Sequence, residues 1–122
     1  MNIKEDYVSS EVAKLLKEKG FNEPCYTCYL NKEFSHYDYL STNFELIDNA
    51  FAAPTLQMAM KWLREVHYIH IGINPISGKG YNATIHDVAD FDDYGIISDT
   101  EFFFHPEEAI EAALKYSLEN LI

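Results

Sequence analysis

Residues 53–73 read APTLQMAMKWLREVHYIHIGI, and a change of period inside this stretch decides the fold class. Thr55, following Pro54, supplies a cap for the first amides of a helix. Beyond it the apolar residues recur at helical spacing. Leu56, Ala59, Met60, Leu63 and Val66 fall on one face with Trp62 at its edge, while Gln57, Lys61, Arg64 and Glu65 take the other. From His67 onward the spacing becomes alternate, Ile69, Ile71 and Ile73 against Tyr68, His70 and Gly72, which is the pattern of a half-buried strand. A second long helix is predicted from Pro106 to Asn120. Glu107 and Glu108 stand in its first turn, where the positive end of the helix dipole favours acids. Ile110, Ala113, Leu114, Ser117, Leu118 and Leu121 line its inner face; Glu108, Glu111, Lys115 and Glu119 face water.

The strand after the first of these helices has a partner. Residues 81–86 read YNATIH, and the loop GINPISGKG before them carries the Asn, Pro, Ser and Gly of a hairpin connection. By parity Ile69, Ile71 and Ile73 share the core face with Tyr81, Ala83 and Ile85, so His70 and His86 both point outward. With Ile73 opposite Tyr81 the histidines are diagonal neighbours; a slip of two residues makes them direct partners. Two imidazoles on one sheet face are candidate metal ligands, although the pattern supplies no third ligand.

Nearer the start, Ser9 or Ser10 caps a first helix with Val12, Leu15 and Leu16 inward, and Gly20 ends it. Cys25-Tyr-Thr-Cys28-Tyr-Leu30 follows as a strand-like run. A redox CxxC belongs at a helix start, where the dipole lowers a thiol pKa, so this pair reads as buried structural cysteine. Residues 31–53 have no clean period; a short strand is expected around Phe44 to Ile47.

Two further stretches approach known chemistry. Gly72 to Gly80 approaches a phosphate-binding loop but has five residues between Gly72 and Gly78, a Gly after Lys79, and a strand where a helix should follow. Asp90 to Glu101 approaches a calcium-binding EF loop, with Asp90, Asp92, Ser98 and Glu101 at ligand positions, Gly95 at the sixth and Ile97 at the eighth. Tyr94 breaks it at the fifth, and no exiting helix is predicted, so the loop reads as a solvated acidic one. Asp90, Asp92, Ser98 and Glu101, together with His70 and His86, make up the candidate metal ligands.

The formal net charge is −11, and residues 82–122 account for most of it, with one Lys and ten acids. That pole repels a nucleic-acid backbone and argues against nucleic acid as partner. The chain's 122 residues are enough for one ordinary domain that buries roughly two thirds of its unfolded surface. No apolar run approaches the roughly 18 residues that a membrane span requires. The charged N-terminus lacks a signal peptide's apolar region, so a soluble, cytoplasmic protein is expected.

Three blocks, YVSSEVAKLLKEKGFNEPC, AAPTLQMAMKWLREVHYIHI and PEEAIEAALKYSLENLI, resemble a family of small uncharacterised proteins from gut anaerobes, their prophages and mobile elements. The resemblance leaves residues 26–52 and 74–104 outside. It implies a shared fold and a mobile-element origin, and it implies no catalytic residue.

The expected fold is α+β, a single domain over residues 1–122. Its order is helix, strand region, helix, β-hairpin, helix, with the helices on one face of a small antiparallel sheet. The expected function is that of a non-enzymatic accessory or regulatory protein acting through protein–protein interaction, with no cofactor and no catalytic residue assigned. Its partner is another protein, a homodimer being one form, and Glu108, Glu111 and Glu119 are candidates for the interaction surface. The alternative is a small metal-dependent enzyme or calcium-responsive module.

Overall fold

The computed structural model describes residues 3–41, 49–89 and 95–122, with residues 37–41 as backbone. The chain is α+β, and it divides into two compact units, Met1–Thr55 and Leu56–Ile122. Each unit holds its own three-stranded antiparallel sheet where a single sheet was expected. The expected strand around Phe44 to Ile47 lies outside the described residues.

In the first unit, helix α1 (Ser10–Glu18) is capped by Ser9, whose hydroxyl accepts from the Val12 amide at 3.2 Å. Its buried residues are Val12, Ala13 and Leu16, with Leu15 half-buried, and Gly20 follows its C-cap at a φ of 93°. Strand β1 (Cys25–Leu30) is central, flanked by β2 (Glu33–Ser41) and β3 (Ala50–Ala52). A two-residue turn joins β1 to β2, with Asn31 and Lys32 at φ of 52° and 69°. Both central residues in the left-handed region make a type I′ hairpin, whose twist matches that of the strands it joins. Asn-Gly is the usual signal for such a turn, and Lys32 stands where that glycine would be. This is why β2 escapes a reading by turn residues. Thr27, buried in mid-strand, donates from Oγ1 to the Ala53 carbonyl at 2.6 Å. Tyr29 reaches back with its hydroxyl to the Val8 carbonyl at 2.7 Å. Side chain and backbone thus tie the segments before and after the sheet to β1.

In the second unit, helix α2 (Leu56–His67) runs into β4 (Ile69–Ile76) through one residue, Tyr68, at a φ of 58°. The Tyr68 amide still bonds the Arg64 carbonyl at 3.1 Å, so the helix closes on a left-handed residue and the next residue is strand. The helix buries Leu56, Ala59, Trp62 and Leu63, leaves Met60 half-buried and exposes Val66. Trp62 therefore joins the core face, while Val66, one turn beyond it on the same side, lies exposed in the last turn of the helix. Strands β4, β5 (Gly80–Asp87) and β6 (Ile96–Asp99) form the sheet in that order, with α2 and α3 (Pro106–Asn120) packed on it. Ile69, Ile71, Ala83 and Ile85 are buried as parity requires. Helix α3 buries Ala109, Ile110, Ala113, Leu114, Ser117 and Leu118, and the Ser117 hydroxyl is satisfied by the Ala113 carbonyl at 2.8 Å.

Candidate functional site: the outer face and rim of the second sheet

The hairpin register differs by two residues from the one expected. Ile73 faces Ala83, and Tyr81 faces Pro75. The cause is the turn: Ile76 pairs with Gly80 around Ser77, Gly78 and Lys79, with the Lys79 amide bonded to the Ile76 carbonyl at 3.0 Å. Gly78 and Gly80 supply φ of 81° and 100°. Alternation cannot choose between registers two residues apart, because both keep the same side chains on the same faces.

This register makes His70 and His86 direct cross-strand partners, with ring centroids 6.1 Å apart and planes inclined at 44°. They head a polar face. Gly72 lies opposite Thr84 in the next pair and Asn74 opposite Asn82 in the one after. The Asn74 amide donates to Asn82 Oδ1 at 3.1 Å and to Thr84 Oγ1 at 2.7 Å, which locks this end of the face. All six residues are half-buried. Neither imidazole hydrogen-bonds to a described residue. The His70 pKa lies below the ordinary histidine value, first because burial penalises the charged ring, then because Arg64 and His86 repel its proton. Among the described residues no third His, Cys, Asp or Glu joins the pair in a metal-ligand group.

Strand β6 forms the rim. It pairs Thr84 with Asp99, Ile85 with Ser98 and His86 with Ile96, the register shifting between Ile85 and His86. Its register puts Asp99 and Ile96 on the histidine face and Ser98 on the opposite one. Ile96 is 57% exposed and Ile97 40%, and exposed Phe102 and Phe104 follow them. Between this segment and α3 lies a groove of about 350 Å³ that includes Ser98, Asp99, Glu101 and Tyr116. Past the hairpin the sequence pattern signals only the last helix, so β6 escapes it. Two adjacent isoleucines and a flanking glycine are the strand's only signal.

The remaining candidates fall as follows. Asp90 and Asp92 lie outside the described residues. Ser98 and Glu101 sit on extended chain, and α3 begins only at Pro106, so the helix that an EF-hand places directly after its last ligand is not at that point. On α3, Glu108 and Glu119 are exposed and Glu111 is half-buried, with its Oε2 enclosed. Lys79, in the phosphate-loop near-match, sits over the Phe102 ring at 5.4 Å. A groove of about 800 Å³ runs from that turn to His105 and Pro106 at the start of α3, where Glu107 and Glu108 already occupy the first turn. Cys25 and Cys28 are both buried and carry free thiols. Burial pushes the Cys25 thiol up to about 11, with the Glu23 carboxylate adding to the effect, the reverse of what a reactive cysteine requires. No helix among the described residues is long and apolar enough to cross a membrane.

Comparison with protein-family models, with curated proteins and with solved structures finds no match to this chain.

Proposed function

We propose that the protein is an accessory or regulatory protein of phage or mobile-element origin that acts by binding another protein. The origin rests on the resemblance of the three sequence blocks. The observation that carries the binding reading is the outer edge of β6: among the described residues this strand pairs with β5 alone, and its Ile96 and Ile97 are exposed. An unpaired edge offers a row of backbone donors and acceptors to an added strand, which soluble proteins normally blunt with charge or cover. Here the blunting is one-sided. Asp99 and Glu101 are acidic and exposed, and residues 82–122 hold a single Lys. The occupant that suits this edge is an extended segment of a partner protein with net positive charge. Its backbone would continue the sheet, and its Lys or Arg side chains would meet Asp99 and Glu101.

Affinity capture from the native host followed by mass spectrometry identifies partners, and a purified partner then tests the surface. Ile97→Ser and Asp99→Lys should each weaken binding at least tenfold, and added salt should weaken the wild type. A partner bound equally well by both variants refutes the β6 edge as its site. The alternative, a small metal-dependent enzyme or calcium-responsive module, draws support from a single observation, the direct opposition of His70 and His86.

A further inference from the structure

The geometry points to a binding site for one divalent late transition-metal ion on the outer face of the second sheet, held by the imidazoles of His70 and His86 with its remaining positions open. Four observations converge on it. The histidines are direct cross-strand partners in a hydrogen-bonded pair, so their side chains project from the same face with Cα atoms about 5.5 Å apart. Bound at about 2.0–2.1 Å per nitrogen, two imidazoles on one metal bring their ring centres to roughly 5 Å. Closing from 6.1 Å therefore takes a rotation of side chains, with the strands unmoved. Neither ring spends a nitrogen on a described hydrogen-bond partner, so both keep a lone pair for a metal. His86 presents its Nε2 over Gly72. Gly72 contributes no side chain, and Nε2 of His86 is the nearest atom to the place where a Cβ would stand, 3.9 Å from it.

The donor set also selects the metal. Neutral imidazole nitrogen suits Zn2+, Ni2+ and Cu2+, whereas Mg2+ and Ca2+ demand oxygen ligands. Arg64 lies close enough to His70 for its positive charge to act on the ring, and the same charge opposes an arriving cation. Arg64 is thus a tuning residue with a predictable sign. With two protein ligands the coordination shell is left to water or to a group from outside the chain. The inference concerns binding alone, and it stands apart from the β6 reading: loss of one would leave the other's test untouched.

The test is calorimetric titration of the untagged chain with Ni2+, Zn2+ and Cu2+, with Mg2+ as the control. One ion per chain should bind in the micromolar range, and Mg2+ should not compete. His70→Gln and His86→Gln should each weaken binding at least tenfold, while His105→Gln, at the far end of the hairpin, should leave it unchanged. Arg64→Gln should tighten it severalfold, a change that a merely structural role for the histidines would not produce. Cu2+ should selectively broaden the His70 and His86 imidazole resonances of the wild-type protein, a readout independent of any variant's folding. Absence of binding at millimolar metal, or Ni2+ affinity unchanged in the folded double variant, would overturn the site.

Discussion

At the scale of single residues, His70 links the polar face to stability. Burial, then Arg64, then His86 hold its pKa below the ordinary value of 6.5. Between that value and the lowered one the unfolded chain binds more protons than the folded chain, so stability rises with pH across this window. The contribution is complete above the unfolded value and is lost as pH falls through the folded one. Thermal melts should show a decline below about pH 6.5, and His70→Gln should flatten part of it; a decline of identical slope in the variant would remove His70 as its source. Trp62 and Val66 show a different residue-level lesson. Trp62 is 6% exposed and Val66 51%, although their i, i+4 spacing puts them only about 40° apart on the same side of the apolar stripe. Periodicity locates a stripe, and only the neighbouring elements decide how far along the helix it is covered. Trp62→Ala should cost about 3–5 kcal/mol and Leu63→Ala about 2–5 kcal/mol. Val66→Ala and Lys61→Ala should each stay within about 0.5 kcal/mol. Equal urea midpoints for Trp62→Ala and Val66→Ala would mean that the packed face of α2 extends through its last turn.

At the scale of elements, the hairpin turn governs what its strands present. Gly80 has a φ of 100°, and a Cβ there would run into the Phe103 carbonyl, because Tyr81 and Phe103 bond each other's backbones at 2.7 and 2.8 Å. Gly78 has a φ of 81° with open space around it. Gly78→Ala should therefore cost only the left-handed penalty of about 1–2 kcal/mol. Gly80→Ala should cost more, since the 81–103 bridge has to give way as well. Denaturant unfolding of the two variants compares them directly, and equal losses would show that the bridge contributes nothing. The hairpin itself was legible from its alternation and loop composition. Its register was not, because parity is blind to a shift of two residues and the turn that settles it is a three-dimensional closure. β2 and β6 were illegible for a related reason. One begins at an Asn-Lys turn lacking the usual glycine, and the other is four residues long, too short for alternation to register.

At the scale of the whole molecule, charge sets the terms of association. Two copies joined through β6 would bring residues 82–122 of each, with ten acids against one Lys, to the same interface. Their repulsion is greatest at low ionic strength, so the chain should sediment as a monomer there, with any self-association appearing only as salt is raised. A stable dimer at low salt that Ile97→Ser dissociates would put a second copy, rather than a cationic partner, on the β6 edge. If the proposed partner is basic, the exposed acids Glu108 and Glu119 of α3 would steer it toward the molecule, changing association more than dissociation.

The amino-acid sequence by itself determined the helices, the hairpin and the faces of the hairpin strands, because each of these depends on spacing along the chain and on local chemistry: a cap at Ser9, a stop at Gly20, a run of alternate isoleucines from Ile69. The acidic pole was equally plain, being a count. Tertiary structure alone decided that the strands gather into two sheets, that Trp62 and not Val66 faces the core, that β6 pairs with β5 alone among the described residues, and that His70 meets His86 directly. Those outcomes depend on which segments pair across long stretches of chain and in what register. Backbone hydrogen bonding offers nearly the same energy to every register of one parity, so the choice falls to turn closure and side-chain packing, which no local pattern encodes.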